Sequence, residues 1–455
     1  MYKVMTPGPT QVKENVRMAR SLVCTNPDLD EDFVEFYKDT CELISSLLGT
    51  KNETLILDGE GILGLEAACA SLTEPGDKVL IIENGVYGEG FADFVSMYGG
   101  VPEFYHADRL NAIDPDALSS YLKEHHDYKY ATVVHCDTPS GMLNPVEKIC
   151  PLLKEYGILT IVDSVSGMFG NHMDVDRFQI DLLCGGSQKA VSAPPGLTFV
   201  TISDAVKDAM HERKTPIRSF YASLLAFEGY YEKKWFPYTM PISDIYGLRA
   251  AFDNIASDPE LEKRTHRIAE AARRALTEAG LKLHLESGFS DTVTVFDIPA
   301  ETTCDAILSR MKKEHNIMLA GSFDDLSGKV IRIGHMGNNA NFEDMTATMY
   351  ALSETLTFLG VNLKGDLVGL FLKYYTKYPI HATIKLIPNV CSMILIFKLL
   401  YLLLNFVSNS PDCLDQFFVS HDLSQLLTEM SDMYHNCIIV VLKILFFPYL
   451  LKKIL

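Results

Sequence analysis

At 455 residues the chain is long enough for two or three domains and a sizeable core. Its 47% apolar and 22% charged residues are those of an ordinary globular protein, and a net charge of −19 opposes a nucleic-acid partner, since phosphate binding calls for the opposite sign. Ten cysteines are scattered with no C-x-x-C pair and no metal-ligand spacing, and the first ten residues hold no signal-like apolar segment, so we expect a cytoplasmic protein with free thiols and no metal.

Thr6-Pro7-Gly8-Pro9-Thr10 cannot be helical, because its prolines fix φ and remove donors; it is expected as an extended arm laid over the body. Residues 30–48 read as a helix with Phe33, Phe36, Tyr37, Ile44, Leu47 and Leu48 near one face and Gly49 as its stop. Thr54–Leu57 is a strand, followed by Asp58-Gly59-Glu60-Gly61 and a helix from about Ile62 to Leu72. Strand, glycine turn and helix N-terminus together form an anion cradle, with free N–H groups and the positive dipole end aimed at one spot. Glu60 puts an anion into that cradle, and the sequence supplies no reason for it.

Val79–Ile82 is a second strand, ending in Glu83 and then Asn84-Gly85-Val86-Tyr87-Gly88, where an aromatic on a glycine-flanked turn can lie flat on a ring. Gly59, Gly61 and Gly64 also match G-x-G-x-x-G, with Glu83 where a dinucleotide fold carries its ribose-binding acid, so an NAD-binding oxidoreductase is a rival reading. Tyr130–His135 is a buried-type strand leading into Cys136-Asp137-Thr138-Pro139-Ser140-Gly141. His135 reads as a core histidine, and Asp137 as a group that orients a neighbour. Helical stretches at 89–98, 114–126 and 145–156 alternate with these strands, which implies a mostly parallel sheet with ligands at the strand C-termini.

Two further strands carry the chemistry. Ile158–Val162 ends in Asp163; Asp181–Cys184 leads through Gly185-Gly186-Ser187-Gln188 to Lys189, with Pro194-Pro195-Gly196 soon after. Partial burial lowers an amine's pKa and makes it a nucleophile for aldehydes. An aspartate at one strand end and a lysine at a later one are what pyridoxal 5'-phosphate (PLP) needs: the lysine forms the Schiff base, the aspartate keeps the pyridine nitrogen protonated. The oxidoreductase reading explains neither residue.

At this point the chain resembles the class V aminotransferases, PLP-dependent transferases of fold type I, and most of all their alanine–glyoxylate/serine–pyruvate branch. The likeness covers roughly residues 1–365. It rests on 6–10, Gly59-Glu60-Gly61, Asn84–Gly88, Asp163, Ser187-Gln188-Lys189, Ala193–Gly196 and Ile331-Arg332-Ile333-Gly334. The resemblance implies an α/β fold with a mostly parallel sheet of the seven-stranded type, helices on both faces and a smaller C-terminal α+β domain. Expected boundaries are an arm over 1–15, a large cofactor-binding domain over 16–259, a small domain over 260–365 and a tail over 366–455. A long helical stretch from about Asp244 to Ala279 bridges the two domains. The small domain holds strands at 292–296 and 330–333.

The resemblance also assigns roles. Lys189 and Asp163 are catalytic. Gly59, Glu60, Gly61, Ile62, Thr138 and Gln188 hold the phosphate or ring oxygen, and Tyr87 stacks on the ring. Gly8 and Pro9 line the entrance. Arg332, a planar fork that matches a carboxylate, clamps the substrate. Thr239 reaches the phosphate of a neighbouring subunit, which implies a homodimer with shared sites; the family's substrate-side tyrosine falls on Phe236, so that hydroxyl is lacking. The expected reaction moves an amino group from a small amino acid (alanine or serine type) to a 2-oxo acid such as glyoxylate or pyruvate. Alternatives are a 2-aminoethylphosphonate–pyruvate transaminase, a cysteine desulfurase-like lyase using Cys304, and a non-catalytic PLP-binding protein. After Gly369 the remaining 86 residues hold no glycine, and apolar runs at 393–407 and 438–451, broken by Lys398 and Lys443, fall short of the ~20 residues of a spanning helix. Membrane contact through this tail is the less favoured reading, and the tail has no assigned role.

Overall fold

Apolar runs without alternation mark strands covered on both faces. The computed structural model, which describes residues 2–376, gathers seven strands in one sheet, six of them such runs and one, Val101–His106, a partly exposed edge strand. They are β1 (Glu53–Asp58), β2 (Lys78–Glu83), β3 (Val101–His106), β4 (Tyr130–Val134), β5 (Leu159–Asp163), β6 (Leu182–Gly186) and β7 (Leu197–Ile202). Their spatial order is β1-β7-β6-β5-β4-β2-β3. Only β7 runs against its neighbours, so the other six strands end on one edge. Asp58, Glu83, Asp163 and, just past their strands, His135 and Lys189 gather along that edge. This is the mostly parallel, seven-stranded sheet that the resemblance implies.

The helices stand close to their expected positions. Glu31–Leu47 is capped by Asp30, whose side chain accepts the Asp32 N–H at 3.0 Å, and it stops before Gly49, which takes φ +70°. Gly61–Leu72 buries Leu65, Ala68, Cys69 and Leu72 in the main hydrophobic cluster. The stretch expected as one helix over 244–279 is two, Ile242–Ala256 and Leu261–Glu278, because Pro259 cannot continue the first.

A second hydrophobic cluster gathers residues from Leu261–Glu278, Cys304–His315, Phe342–Phe358 and Leu367–Tyr375 around the antiparallel pair Val293–Asp297 and Val330–Gly334. Leu367–Tyr375, assigned to the tail by sequence, packs here with Leu367 and Phe371 fully buried. The N-terminus joins it too: Lys3–Val4 pairs with Ile317–Met318, and Met5 is wholly buried. Among the described residues no helix is long and apolar enough to cross a membrane. The apolar runs at 393–407 and 438–451 lie outside the described residues.

Candidate active site

Asp163 closes β5 with its backbone in register with Val134 and Cys184, so it sits one strand from the segment that carries Lys189. It is 5% exposed. The Val165 N–H donates to Oδ1 at 2.9 Å, while among the described residues Oδ2 receives no hydrogen bond. Burial pushes the carboxyl up to about 6, against the pull of the Val165 N–H and of Lys189. The Lys189 amine is pushed down to about 8, chiefly by burial and further by Arg332, while Cys136, Asp163 and Glu60 oppose the shift. Lysine and aspartate therefore feel each other's charge across the strand ends.

The arm holds the lysine. Lys189 Nζ donates to the Pro7 carbonyl at 2.9 Å. Gly8 has φ +108°, and a Cβ there would lie 2.4 Å from the Lys189 side chain, so only glycine fits. The Thr10 N–H donates to the Gln188 carbonyl at 3.1 Å and its hydroxyl to the Lys189 carbonyl at 2.9 Å. The Gln11 N–H donates to Asn339 Oδ1 at 3.0 Å, which ties the arm to the second cluster's side. Pro9 is exposed beside it.

Tyr87 begins the helix Val86–Met97 and is half-buried. Asp137 anchors it: Oδ1 accepts the Tyr87 N–H at 3.3 Å and Oδ2 the Ser140 hydroxyl at 2.6 Å. A Cβ at Gly85 would sit 2.5 Å from that carboxylate, which explains the glycine before the turn. Burial raises the Asp137 carboxyl, and its two donors counter this. It orients, as expected.

Arg332 alternates with buried Ile331 and Ile333 and points from its strand toward this cluster. Its Nε donates to the Gly321 carbonyl at 2.5 Å and its Nη1 to the Thr138 carbonyl at 3.4 Å. Among the described residues no carboxylate lies within salt-bridge distance of it, so a rim ion pair does not account for it. Burial lowers its pKa, with Tyr87 and Asp137 opposing. Thr138 thus stands at the arginine side. Sequence reasoning missed Phe323, whose ring lies 5.8 Å from the guanidinium and edge-on to Tyr87 at 6.1 Å. The only signal was an aromatic following Gly321-Ser322 before an acidic pair. Ser322 ties this loop to the Pro139 carbonyl at 3.1 Å.

The cradle at Gly61–Leu72 differs from expectation. Glu60 is the helix cap: Oε1 accepts the Ile62 N–H at 3.0 Å and Oε2 accepts Gln188 Nε2 at 3.0 Å. Two of the donors assigned to a phosphate, the Ile62 N–H and the Gln188 amide, are held by a carboxylate. The ring end of PLP therefore fits these residues, with an open Asp163 oxygen, Tyr87 and Lys189 around it; the phosphate end does not. Gly59 and Gly61 serve packing, their Cβ positions meeting Leu63 and Val165.

Other residues singled out in the sequence lie outside this cluster. Phe236 is a core residue among Phe33, Tyr37 and Tyr230, with ring centroids 4.9–5.9 Å away. Thr239 is exposed, and its neighbour Tyr238 lies near Asp58 at the end of β1. His135 is buried, bonded to the Ser164 hydroxyl at 2.8 Å and lowered to about 4 by burial. Cys304 is buried in a helix's first turn and bonds the Val330 carbonyl at 3.8 Å, not the loop thiol a desulfurase needs. Glu83, the acid of the dinucleotide reading, is buried and held by His106 at 2.5 Å and Arg109 at 3.4 Å. Gly64 packs against Thr198.

The family model for class V aminotransferases matches residues 12–320. The chain belongs to this family. It is an aminotransferase with relatives in the alanine–glyoxylate branch. An uncharacterized aminotransferase of Methanocaldococcus jannaschii is 34% identical over 79% of this chain and 94% of its own. A pyridoxamine–pyruvate transaminase of Mesorhizobium japonicum is 32% identical, covering 74% and 87%; an alanine–glyoxylate aminotransferase of Callithrix jacchus is 29% identical, covering 78% and 87%. Among solved structures, the ureidoglycine–glyoxylate aminotransferase of Bacillus subtilis superposes with a TM-score of 0.79 at 27% identity, over 83% of this chain and 98% of that one. A cysteine desulfurase of Thermococcus onnurineus and a NifS-like protein superpose at 15% and 14% identity, so they share the fold alone.

Proposed function

We propose that this aminotransferase moves an amino group between a small amine and a 2-oxo acid of the glyoxylate or pyruvate type, on a vitamin B6 ring held between Lys189 and Asp163. The observation that carries the reading is the convergence, at one sheet edge, of an amine near pKa 8, a buried carboxylate that among the described residues keeps one open oxygen, and an arginine that among them has no acidic partner. A bound pyridoxal ring supplies an aldehyde carbon to the amines and a sink for the electron pair left at Cα.

Lys189, with about half its amine neutral near pH 8, is the nucleophile and then the carrier of the Cα proton. The Pro7 carbonyl aims its nitrogen. The open oxygen of Asp163 would accept the N–H of a bound ring and hold that proton in place. Tyr87, fixed through Asp137, offers a face for the ring. Arg332, fixed by Gly321 and Thr138, takes the oxo acid's carboxylate in its remaining N–H groups. The arm over 6–10 keeps water from the lysine.

A small domain over 260–365, with its last helix extended to Tyr375, belongs to the proposal because it presents Arg332. So does a homodimer: exposed Thr239 lies in a region where Phe220, Tyr221 and Trp235 are each more than half exposed, which suits a partner surface. A cytoplasmic location is supported by the seven described cysteines, all unpaired. The test is borohydride reduction after loading with pyridoxal, with peptide mapping. The adduct is expected on Lys189; an adduct that persists in Lys189→Ala overturns the assignment.

A further inference from the structure

The acid in the phosphate cradle has a chemical consequence. Glu60 takes the Ile62 N–H and the Gln188 amide N–H, each at 3.0 Å. Because a carboxylate only accepts, Gln188 must turn Nε2 toward it, which fixes the amide's orientation. Among the described residues the other amide atom, Gln188 Oε1, is then left without a partner, in a residue only 7% exposed. Two acceptors, Glu60 and Gln188 Oε1, therefore stand at the place where the family likeness put a phosphate. Among the described residues no Lys, Arg or His side chain bonds to residues 58–62. The charges facing the cleft are the acids Glu60, Asp137 and Asp163 with the cations Lys189 and Arg332, and Asp58 stands at the neighbouring strand end. A phosphate dianion brings only acceptors and adds to a surplus of negative charge.

We infer that this site takes a B6 ring bearing an uncharged 5'-hydroxymethyl group, pyridoxamine or pyridoxal, whose O–H donates to Glu60 or Gln188 Oε1. This rests on the ring lying between Lys189 and Asp163 as proposed above. Without a phosphate anchor the ring is a substrate that comes and goes. The balanced reaction is pyridoxamine plus a 2-oxo acid giving pyridoxal plus an amino acid. The C4'–N bond breaks and a Cα–N bond forms; C4' is oxidised to the aldehyde while the oxo carbon is reduced, and Lys189 carries the proton from C4' to Cα. The carbonyl oxygen is exchanged through water, with none consumed overall.

The test uses the full chain. Binding of pyridoxal and of PLP is measured by titration, each followed by borohydride reduction and mass analysis of Lys189, and pyridoxamine–pyruvate turnover is assayed beside it. Pyridoxal is expected to bind about a hundredfold more tightly than PLP, as two like charges in a poorly screened site would impose. Glu60→Ser is expected to raise PLP affinity at least tenfold and to weaken pyridoxal, while Glu60→Gln, which keeps the cap geometry, moves both the same way by less. Both variants are checked for unchanged melting, and Glu60 is exposed enough to tolerate replacement. If PLP binds wild type as tightly as pyridoxal, the inference falls while the ring assignment stands. If neither vitamer marks Lys189, both fall.

Discussion

Asp163→Asn separates stability from catalysis at this site. The buried carboxyl titrates at about 6 in the folded chain, against 3.8 without its surroundings. Folding therefore binds its proton more tightly. The Asp163 contribution is most favourable below pH 3.8 and is lost as pH rises through about 6. The difference of roughly 2 units corresponds to about 3 kcal/mol at 1.36 kcal/mol per unit, so above pH 7 the ligand-free protein carries a penalty of that order. Asparagine keeps an oxygen for the Val165 N–H and carries no charge. Urea unfolding of the protein stripped of B6 vitamers should find Asp163→Asn more stable by up to about 3 kcal/mol at pH 7.5. The gain should shrink below pH 6 and vanish near pH 4. Amino transfer should fall roughly a hundredfold, because an amide cannot keep a proton on a ring nitrogen and a charge-assisted hydrogen bond is worth about 1.5–3 kcal/mol. A gain independent of pH would refute the desolvation argument, and full activity in the variant would refute the role of Asp163.

The other expectations concern neighbouring groups. In the ligand-free protein, the rate at which Lys189 captures pyridoxal should rise about tenfold per pH unit below pH 8 and level off above it, as the amine loses its proton; a flat profile between pH 6 and 9 would contradict the lowered pKa. Arg332→Lys should raise KM for the 2-oxo acid by about ten- to a hundredfold with a smaller change in kcat, because an ammonium cannot reproduce the fork fixed by Gly321 and Thr138. Equal affinity in steady-state assays would remove it as the carboxylate clamp. Gly8→Ala should cost about 1–3 kcal/mol and displace the arm, since alanine at φ +108° is strained and its methyl enters the Lys189 side chain. Faster proteolysis near residue 8 and slower pyridoxal capture would report it.

Much of the fold was legible in one dimension. Strands covered on both faces write themselves as unbroken apolar runs, so β1, β2, β4, β5 and β6 appear in the sequence to within a residue or two. Lys189 and Asp163 could be paired from strand-end placement alone, because parallel strands deliver their C-termini to one edge. Where the reading erred, a local signal lost to a longer pattern. Pro259 splits a helix that periodicity joined, and Leu367–Tyr375 was left in the tail although its apolar face packs on Leu261–Glu278.

By itself, the sequence determined five of the sheet's seven strands and the strand-end places of the lysine and aspartate on which the proposed chemistry rests, since these follow from burial and period, whereas the partly exposed edge strand Val101–His106 and the antiparallel Leu197–Ile202 went unread. Only the tertiary structure decided what surrounds them: the Pro7 carbonyl on the lysine, Phe323 beside Arg332, and the Glu60 carboxylate seated in the cradle with Gln188. Those contacts join residues as far as 182 positions apart, and no local pattern records which distant carbonyl, ring or amide will arrive.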